Sequence, residues 1–267
     1  MILTADNYYS QEANKHYLSV SQYKDFCGTY GKPGCEEYAL AKINGTWIED
    51  MEESDALMVG SYVDSYFEGT LEDFKKQHPC ILKKDRTLLA KYEKANQMIE
   101  RCERDKKFMQ MMSGEKQVIM TANMFGADWK IKIDSYHAGI CIVDLKTCQS
   151  IGKHFYHADI GHINFLAEWG YYIQGAVYQE VVRINTGHKL PFYIAAVTKE
   201  KVADIEIIQC EQSLLDEALF EVEKNTPYVL QLKNGEAEPI RCGGCDYCKF
   251  TKVLTGPIWS SELLGEV

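Results

Sequence analysis

Asp144 and Lys146 are separated by one residue in the run Ile142-Val-Asp-Leu-Lys146, and Asp134 closes the run Trp129-Lys-Ile-Lys-Ile-Asp134. Both runs alternate apolar and polar residues, the period of a half-buried strand. The polar link between them, residues 135–139, reads as the turn of a β-hairpin. Residues two apart on a strand share a face, so Asp144 and Lys146 point the same way, and a hairpin register brings Asp134 beside them. Carboxylates on one face repel unless a cation lies between them. Mg²⁺ takes such a site: one or two carboxylates, several waters and a substrate phosphate. The chemistry indicated is phosphodiester hydrolysis, which needs a Lewis acid on the phosphoryl oxygens and an activated water in line. Asp134 and Asp144 are the candidate metal ligands, with the Leu145 carbonyl as a third and Asp64 as a further carboxylate. Lys146 is placed to orient the water and offset transition-state charge. A bare Asp-x-Lys is otherwise a surface ion pair worth at most about 1 kcal/mol.

The elements that would carry these side chains can be read in order. Ser19 caps a short helix to Phe26, a Gly/Pro loop follows, and Cys35 opens a helix through Ala41. Ser54 caps a helix to about Glu68, with Leu57, Val63 and Phe67 as core candidates and Asp64 one turn beyond Gly60. Residues 84–112 read as a long charged helix, and residues 117–146 as three strands in a meander with Ile140 in the last of them. His157 to Val182 reads as one long helix, residues 191–197 and 205–208 as further strands, and 211–233 as another helix. The pattern predicts an α/β fold, a central mixed sheet flanked by helices, in a single domain over 1–267 with a cysteine-rich segment at 240–250.

Lysines and arginines number 29 against 39 acids, a formal charge of −10. That sign opposes coating of nucleic acid, but a cleft with a few focused lysines can still bind DNA. Lys130, Lys132 and Lys146 are candidates for such a cleft, with Lys83 and Lys84 or Lys249 and Lys252 at its rim. No apolar run is long enough for a membrane span and the first residues lack a signal-peptide pattern, so no membrane partner and a cytoplasmic location are expected. Ten cysteines in that setting read as reduced thiols or metal ligands. Three of them form Cys242-Gly-Gly-Cys245-Asp-Tyr-Cys248, which fits three corners of a 4Fe–4S cluster or of a four-cysteine structural zinc site, the fourth ligand coming from elsewhere. His154, His157 and His162 read as surface or capping residues.

The order helix-Asp64, Ile133-Asp134, Asp144-Leu-Lys146, Gln174-x-x-x-Tyr178 resembles the PD-(D/E)XK nuclease superfamily in its RecB-type branch. Tyr8-Tyr-Ser10, Ser19-x-Ser21 and Leu57-Met-Val-Gly60-Ser-Tyr-Val-Asp64 resemble the phage RecE-like (exodeoxyribonuclease VIII) group. The resemblance implies a restriction-endonuclease-like fold and a Mg²⁺- or Mn²⁺-dependent exonuclease acting on linear, double-stranded DNA in phage-type recombination. It assigns Asp134 and Asp144 to the metal, Lys146 to catalysis, and Gln174 and Tyr178 to the active site. Their i, i+4 spacing puts both on one helix face. It also implies a homo-oligomer and a single-strand annealing recombinase as partner. The competing readings are a structure-specific or CRISPR-adaptation-like endonuclease and a catalytically silent DNA-binding module. Ile133 stands where the family name has proline, and Asp64 where many RecB-type members carry histidine. The cysteine layout is similar to that of AddB and the CRISPR-adaptation nucleases, which take one cysteine from before the catalytic core. That implies Cys35 as the fourth ligand, with Cys27 the alternative, and a cluster that clasps the two ends of the chain.

Overall fold

A computed structural model describes residues 1–48 and 54–261. Helices α1 (Gln11–His16), α2 (Val20–Cys27) and α3 (Glu36–Asn44) come first, followed by α4 (Asp55–Glu68), α5 (Leu71–Gln77), α6 (Ala90–Glu103) and α7 (Lys106–Met111). Strands β1 (Glu115–Met124), β2 (Ala127–His137) and β3 (Cys141–Cys148) form the predicted antiparallel meander. A small hairpin, β4 (His154–His157) and β5 (Gly161–Asn164), leads into α8 (Phe165–Glu168) and α9 (Tyr171–Thr186). Strands β6 (Phe192–Thr198) and β7 (Ile205–Gln209), the long α10 (Gln212–Asn234) and the short α11 (Asp246–Phe250) follow.

The main sheet has the order β1-β2-β3-β6-β7 and is mixed: β6 runs parallel to β3, and every other pairing is antiparallel. A parallel neighbour requires a crossover, which α9 provides between β3 and β6. Helices cover both faces, giving the central mixed sheet flanked by helices that the sequence predicts. On one side α2, α3, α9 and α10 bury Trp129, Ile131, Ile133, Val177 and Phe192. On the other, α4, α6 and α7 bury Met58, Tyr62, Met98, Val143 and Leu145. The alternation on β3 follows directly: Val143 and Leu145 belong to the second core, and Asp144 and Lys146 face the other way.

Several element assignments differ from expectation. The stretch 84–112 is two helices, because Asp105 accepts the Phe108 N–H and starts a new one at Lys106. Residues 82–88 form a tight return with a bridge between Leu82 and Leu88. The span from His157 to Val182 is a hairpin and two helices: Gly161 (φ 77°) makes the hairpin turn, Asn164 caps α8 through the Ala167 N–H, and Gly170 (φ 63°) separates α8 from α9. Leu57 is exposed rather than core. Strand β2 continues through Ser135, Tyr136 and His137, so the link is shorter than expected and Ile140 lies in the exposed turn. Among the described residues no helix is long and apolar enough to cross a membrane.

Two glycines set helices close to the sheet. A Cβ on Gly60 would lie 3.3 Å from Thr147 Oγ1, so α4 approaches β3 closely one turn before Asp64. A Cβ on Gly175 would lie 2.6 Å from a ring carbon of Phe192, so α9 sits tightly on β6 beside Gln174.

Candidate active site and cysteine cluster

Strands β2 and β3 pair only at His137↔Cys141, Tyr136↔Ile142 and Ser135↔Val143, then diverge. The first backbone donor left without a ladder partner by that divergence is Leu145 N–H, and the Asp134 carboxylate takes it at 2.9 Å. Asp134 therefore lies in the mouth of the opening strands, across from Asp144. Asp144 is buried. Its Oδ1 accepts a hydrogen bond from Gln174 Nε2 of α9 at 2.5 Å. Its buried Oδ2 has no directed hydrogen bond and is met by the Lys146 ammonium as an ion pair.

Burial, with the nearby Asp134 charge, pushes the Asp144 carboxyl up to about 6, against the opposing pull of Lys146. Burial acts to lower the Lys146 ammonium, and attraction to Asp144, Tyr171 and Asp134 more than reverses this, so it holds its proton firmly. Asp64, delivered by α4, is also raised well above the usual carboxylate range, by burial and then by Asp134. Buried carboxyls raised by a neighbouring carboxylate in this way are relieved by a cation between them.

Asp64, Asp134, Asp144, Leu145, Lys146, Gln174 and Tyr178 all line one cavity of about 360 Å³. Tyr178 donates its hydroxyl to the Lys132 carbonyl at 3.0 Å. It thus ties α9 to β2, while Gln174, one turn earlier, reaches Asp144. The donor set fits a hard divalent ion: three carboxylates, two of them raised by burial, in a cavity open to a phosphate. The aspartates are more widely spread than a closed ligand shell. Among the described residues, the set of candidate ligand atoms lying mutually within 4.8 Å is four thiols.

Two parts of this site were not anticipated. Lys24 and Lys42 line the cavity with Lys130, Lys132 and Lys146, whereas Lys83, Lys84, Lys249 and Lys252 do not. Five lysines thus face four aspartates (Asp25, Asp64, Asp134 and Asp144) in a chain that is acidic overall. The second is Gln117 on β1, between the pairs Lys116↔Ser135 and Val118↔Ile133 and hence opposite Asp134. Its φ of 53° is unusual for a strand residue with a side chain, and its Nε2 donates to Asp134 Oδ1 at 3.3 Å. Its Oε1 is buried without a partner. Groups that orient a ligand set metal affinity strongly, so Gln117→Met is expected to weaken Mn²⁺ binding by roughly tenfold or more. A calorimetric titration matching the natural chain would remove Gln117 from the site.

The second assembly joins the ends of the fold. Cys35 precedes α3, and Cys242, Cys245 and Cys248 surround the start of α11; their sulfurs form the four-thiol group. Cys35 Sγ lies 3.5 Å from Cys248 Sγ, and Cys242 Sγ lies 3.9 Å from it. Cys27 is exposed and outside the group. Burial holds the Cys35 thiol up and pushes Cys245 to about 12, whereas backbone donors at Cys245 and Gly244 outweigh burial at Cys242 and bring it down to about 6; a metal bound by the group would draw off the remaining protons. Arg241 braces the segment through Glu37 (2.7 Å) and the Cys248 carbonyl (3.1 Å). His154, His157 and His162 stand apart, on the β4–β5 hairpin, with His157 paired to Glu168 at 2.7 Å.

A mixed sheet whose diverging β2 and β3 present Asp, Asp-x-Lys to a helix carrying Gln-x-x-x-Tyr defines a protein of the PD-(D/E)XK type. The chain belongs to the family described as "PDDEXK-like domain of unknown function (DUF3799)", which matches residues 19–251. It is also similar to a protein from Eubacterium rectale whose crystal structure is described as that of a "Putative exonuclease". The two share 55% identity over 100% of each chain, with a TM-score of 0.97. No curated protein matches the chain.

Proposed function

We propose that the chain is a Mg²⁺- or Mn²⁺-dependent deoxyribonuclease that degrades linear DNA from its ends. The observation that carries this reading is the buried Asp144, held by Gln174 on one oxygen and by Lys146 on the other, beside Asp134. The description of the relative from Eubacterium rectale as a "Putative exonuclease" supports the choice of an exonuclease.

Asp134, Asp144, Asp64 and the Leu145 carbonyl would hold the divalent ion, which supplies Lewis-acid polarisation of the scissile phosphoryl group and lowers the pKa of bound water. The remaining work falls to the protein. Gln174 and Leu145 N–H fix the two carboxylates so that each presents a free lone pair to the cavity. Lys146, a compact cation with several donors, positions the attacking water and offsets the negative charge that grows on the phosphoryl oxygens. The site's burial on β3 keeps these interactions strong. Tyr178 holds β2 open against α9, keeping Asp134 and Lys132 on the wall of the cavity.

The test is release of acid-soluble nucleotides from linear duplex DNA, with covalently closed circular DNA as the comparison. Mg²⁺-dependent loss of the linear form alone is the expected result. Nicking of the circle would make the enzyme an endonuclease, and binding without turnover would make the chain a DNA-binding module. We further propose that the four thiols hold a 4Fe–4S cluster that clasps the fold, zinc being the outcome that metal analysis would reveal instead.

A further inference from the structure

Of the five lysines lining the cavity, four are already engaged. Lys24 donates to the Trp169 carbonyl, Lys42 pairs with Asp25, Lys130 binds the Tyr8 carbonyl and Asn14, and Lys146 pairs with Asp144. Lys132 is different. Among the described residues its ammonium makes neither an ion pair nor a hydrogen bond, and it lies 4.9 Å from the ring centre of Tyr9 and 5.9 Å from that of Tyr8.

Tyr9 is 69% exposed and yet lines the same cavity. An exposed ring on a loose terminus would mean little, but the backbone here is pinned on both sides. Tyr8 is buried, packs edge-on to Tyr9 at 5.0 Å, and has its carbonyl bound by Lys130. The Tyr9 carbonyl accepts from Asn14 at 3.3 Å, and Ser10 caps α1 through the Ala13 N–H at 3.1 Å. The ring is therefore presented in a fixed place, with a free cation against it.

Lys132 and Asp134 project from the same side of β2, two residues or about 6.6 Å apart along the strand. One nucleotide of an extended single strand spans such a distance. Proteins that grip single strands combine a cationic groove with aromatic faces on which bases stack. Inside a duplex both faces of a base are covered by its neighbours, so a ring one nucleotide from the scissile phosphate favours an unpaired, unstacked base.

We infer that Tyr9 and Lys132 form a subsite for an unpaired nucleotide next to the scissile phosphate, the base stacking on Tyr9 and its phosphate lying on Lys132. The inference rests on the nuclease reading above and adds to it a substrate class: DNA ends that are single-stranded or frayed. Neither residue is expected to act on the reacting atoms.

The test uses the full chain and a short single-stranded DNA carrying a fluorescent adenine analogue near its end, with the divalent ion chelated so that binding is read without turnover. The natural chain should quench the analogue. Tyr9→Ala should abolish the quenching and weaken binding by roughly 5- to 100-fold, and Tyr9→Phe, which keeps the ring, should restore both. Lys132→Gln should reduce the salt dependence of binding by about one phosphate contact, a change in slope of about 0.7. With Mg²⁺ present, Tyr9→Ala should raise KM on overhanging ends and leave kcat nearly in place. Unchanged quenching and affinity in Tyr9→Ala, or a fall confined to kcat, would overturn the subsite while leaving the nuclease reading standing. A natural chain that neither binds nor cuts any DNA would instead remove the nuclease reading, and the subsite with it.

Discussion

Asp144→Asn is expected to lower nucleotide release from linear DNA by at least about a thousandfold, with the fold intact. Asparagine keeps the shape of the side chain and an oxygen to accept Gln174 Nε2, so the contact between α9 and β3 survives. What it removes is the charge that a divalent ion needs, and the partner that holds Lys146 in place. Loss of a single well-aimed electrostatic group in an active site commonly costs about 10²–10³-fold, and here one substitution disturbs both the metal site and the lysine. Lys146→Met should be as inactive for a different reason: the acids remain, but the attacking water loses its donor and the transition state its compensating cation.

The stability of these variants separates catalysis from folding. Removing one partner of a buried ion pair leaves the other uncompensated, at a cost of about 3–5 kcal/mol in rigid cases. Lys146→Met should cost less, because Asp144 already lies at about 6 through burial and takes up a proton once the ammonium is gone. The double variant Asp144→Asn/Lys146→Met carries neither charge and should melt close to the natural chain, while remaining inactive. Rates and thermal melts on the three proteins give the comparison. Turnover within about tenfold of the natural chain in either single variant, with the fold retained, would remove Asp144 and Lys146 from the chemistry.

The parts of this site legible in the sequence are those written in local patterns. Period-2 alternation put Asp134, Asp144 and Lys146 on strands, the Ser54 cap began the helix of Asp64, and the helix read to Val182 carried Gln174 and Tyr178, which the family resemblance singled out. What was not legible depends on register or on which surface a helix turns inward. Gln117 matters because it pairs opposite Asp134 with a backbone angle that no local rule signals. Lys24 and Lys42 reach the cavity because α2 and α3 fold over the mouth of the sheet, whereas Lys83 pairs with Glu93 and Lys249 with Asp246 on outer surfaces. The stretch 157–164, which holds the end of β4 and all of β5, reads in sequence as the start of the long helix and is a turn and strand in the structure. Its stop signals, Gly161 and Gly170, were present in the sequence but outweighed by the apolar pattern around them.

Cys245→Ser is expected to strip the cysteine site of its metal and to lower the melting temperature by at least roughly 10 °C. Structural four-cysteine sites contribute apparent binding free energies of about 10–16 kcal/mol when the metal is zinc. Loss of even ~5 kcal/mol moves the midpoint of a protein this size by roughly 10–20 °C. Among the described residues the segment after α10 is also held by Arg241 with Glu37, by Ile240 paired through its N–H and carbonyl with Glu36, and by Trp47 against Tyr247 and Phe250. The damage should also travel to the cavity. Cys35 N–H binds the Asp25 carbonyl at 2.9 Å, and the Asp25 carboxylate holds Lys42 at 2.9 Å. When the thiols release their metal, the α2–α3 turn loosens and the lysines of that wall lose their anchor, so DNA affinity should fall along with stability. Cys27→Ser, exposed and outside the group, is the control and should melt within about 2 °C of the natural chain. Metal analysis and a visible spectrum on anaerobically purified protein identify the occupant, brown colour marking iron–sulfur and its absence with one zinc per chain marking zinc. A Cys245→Ser protein with unchanged melting temperature would show that the four thiols do not clasp the fold.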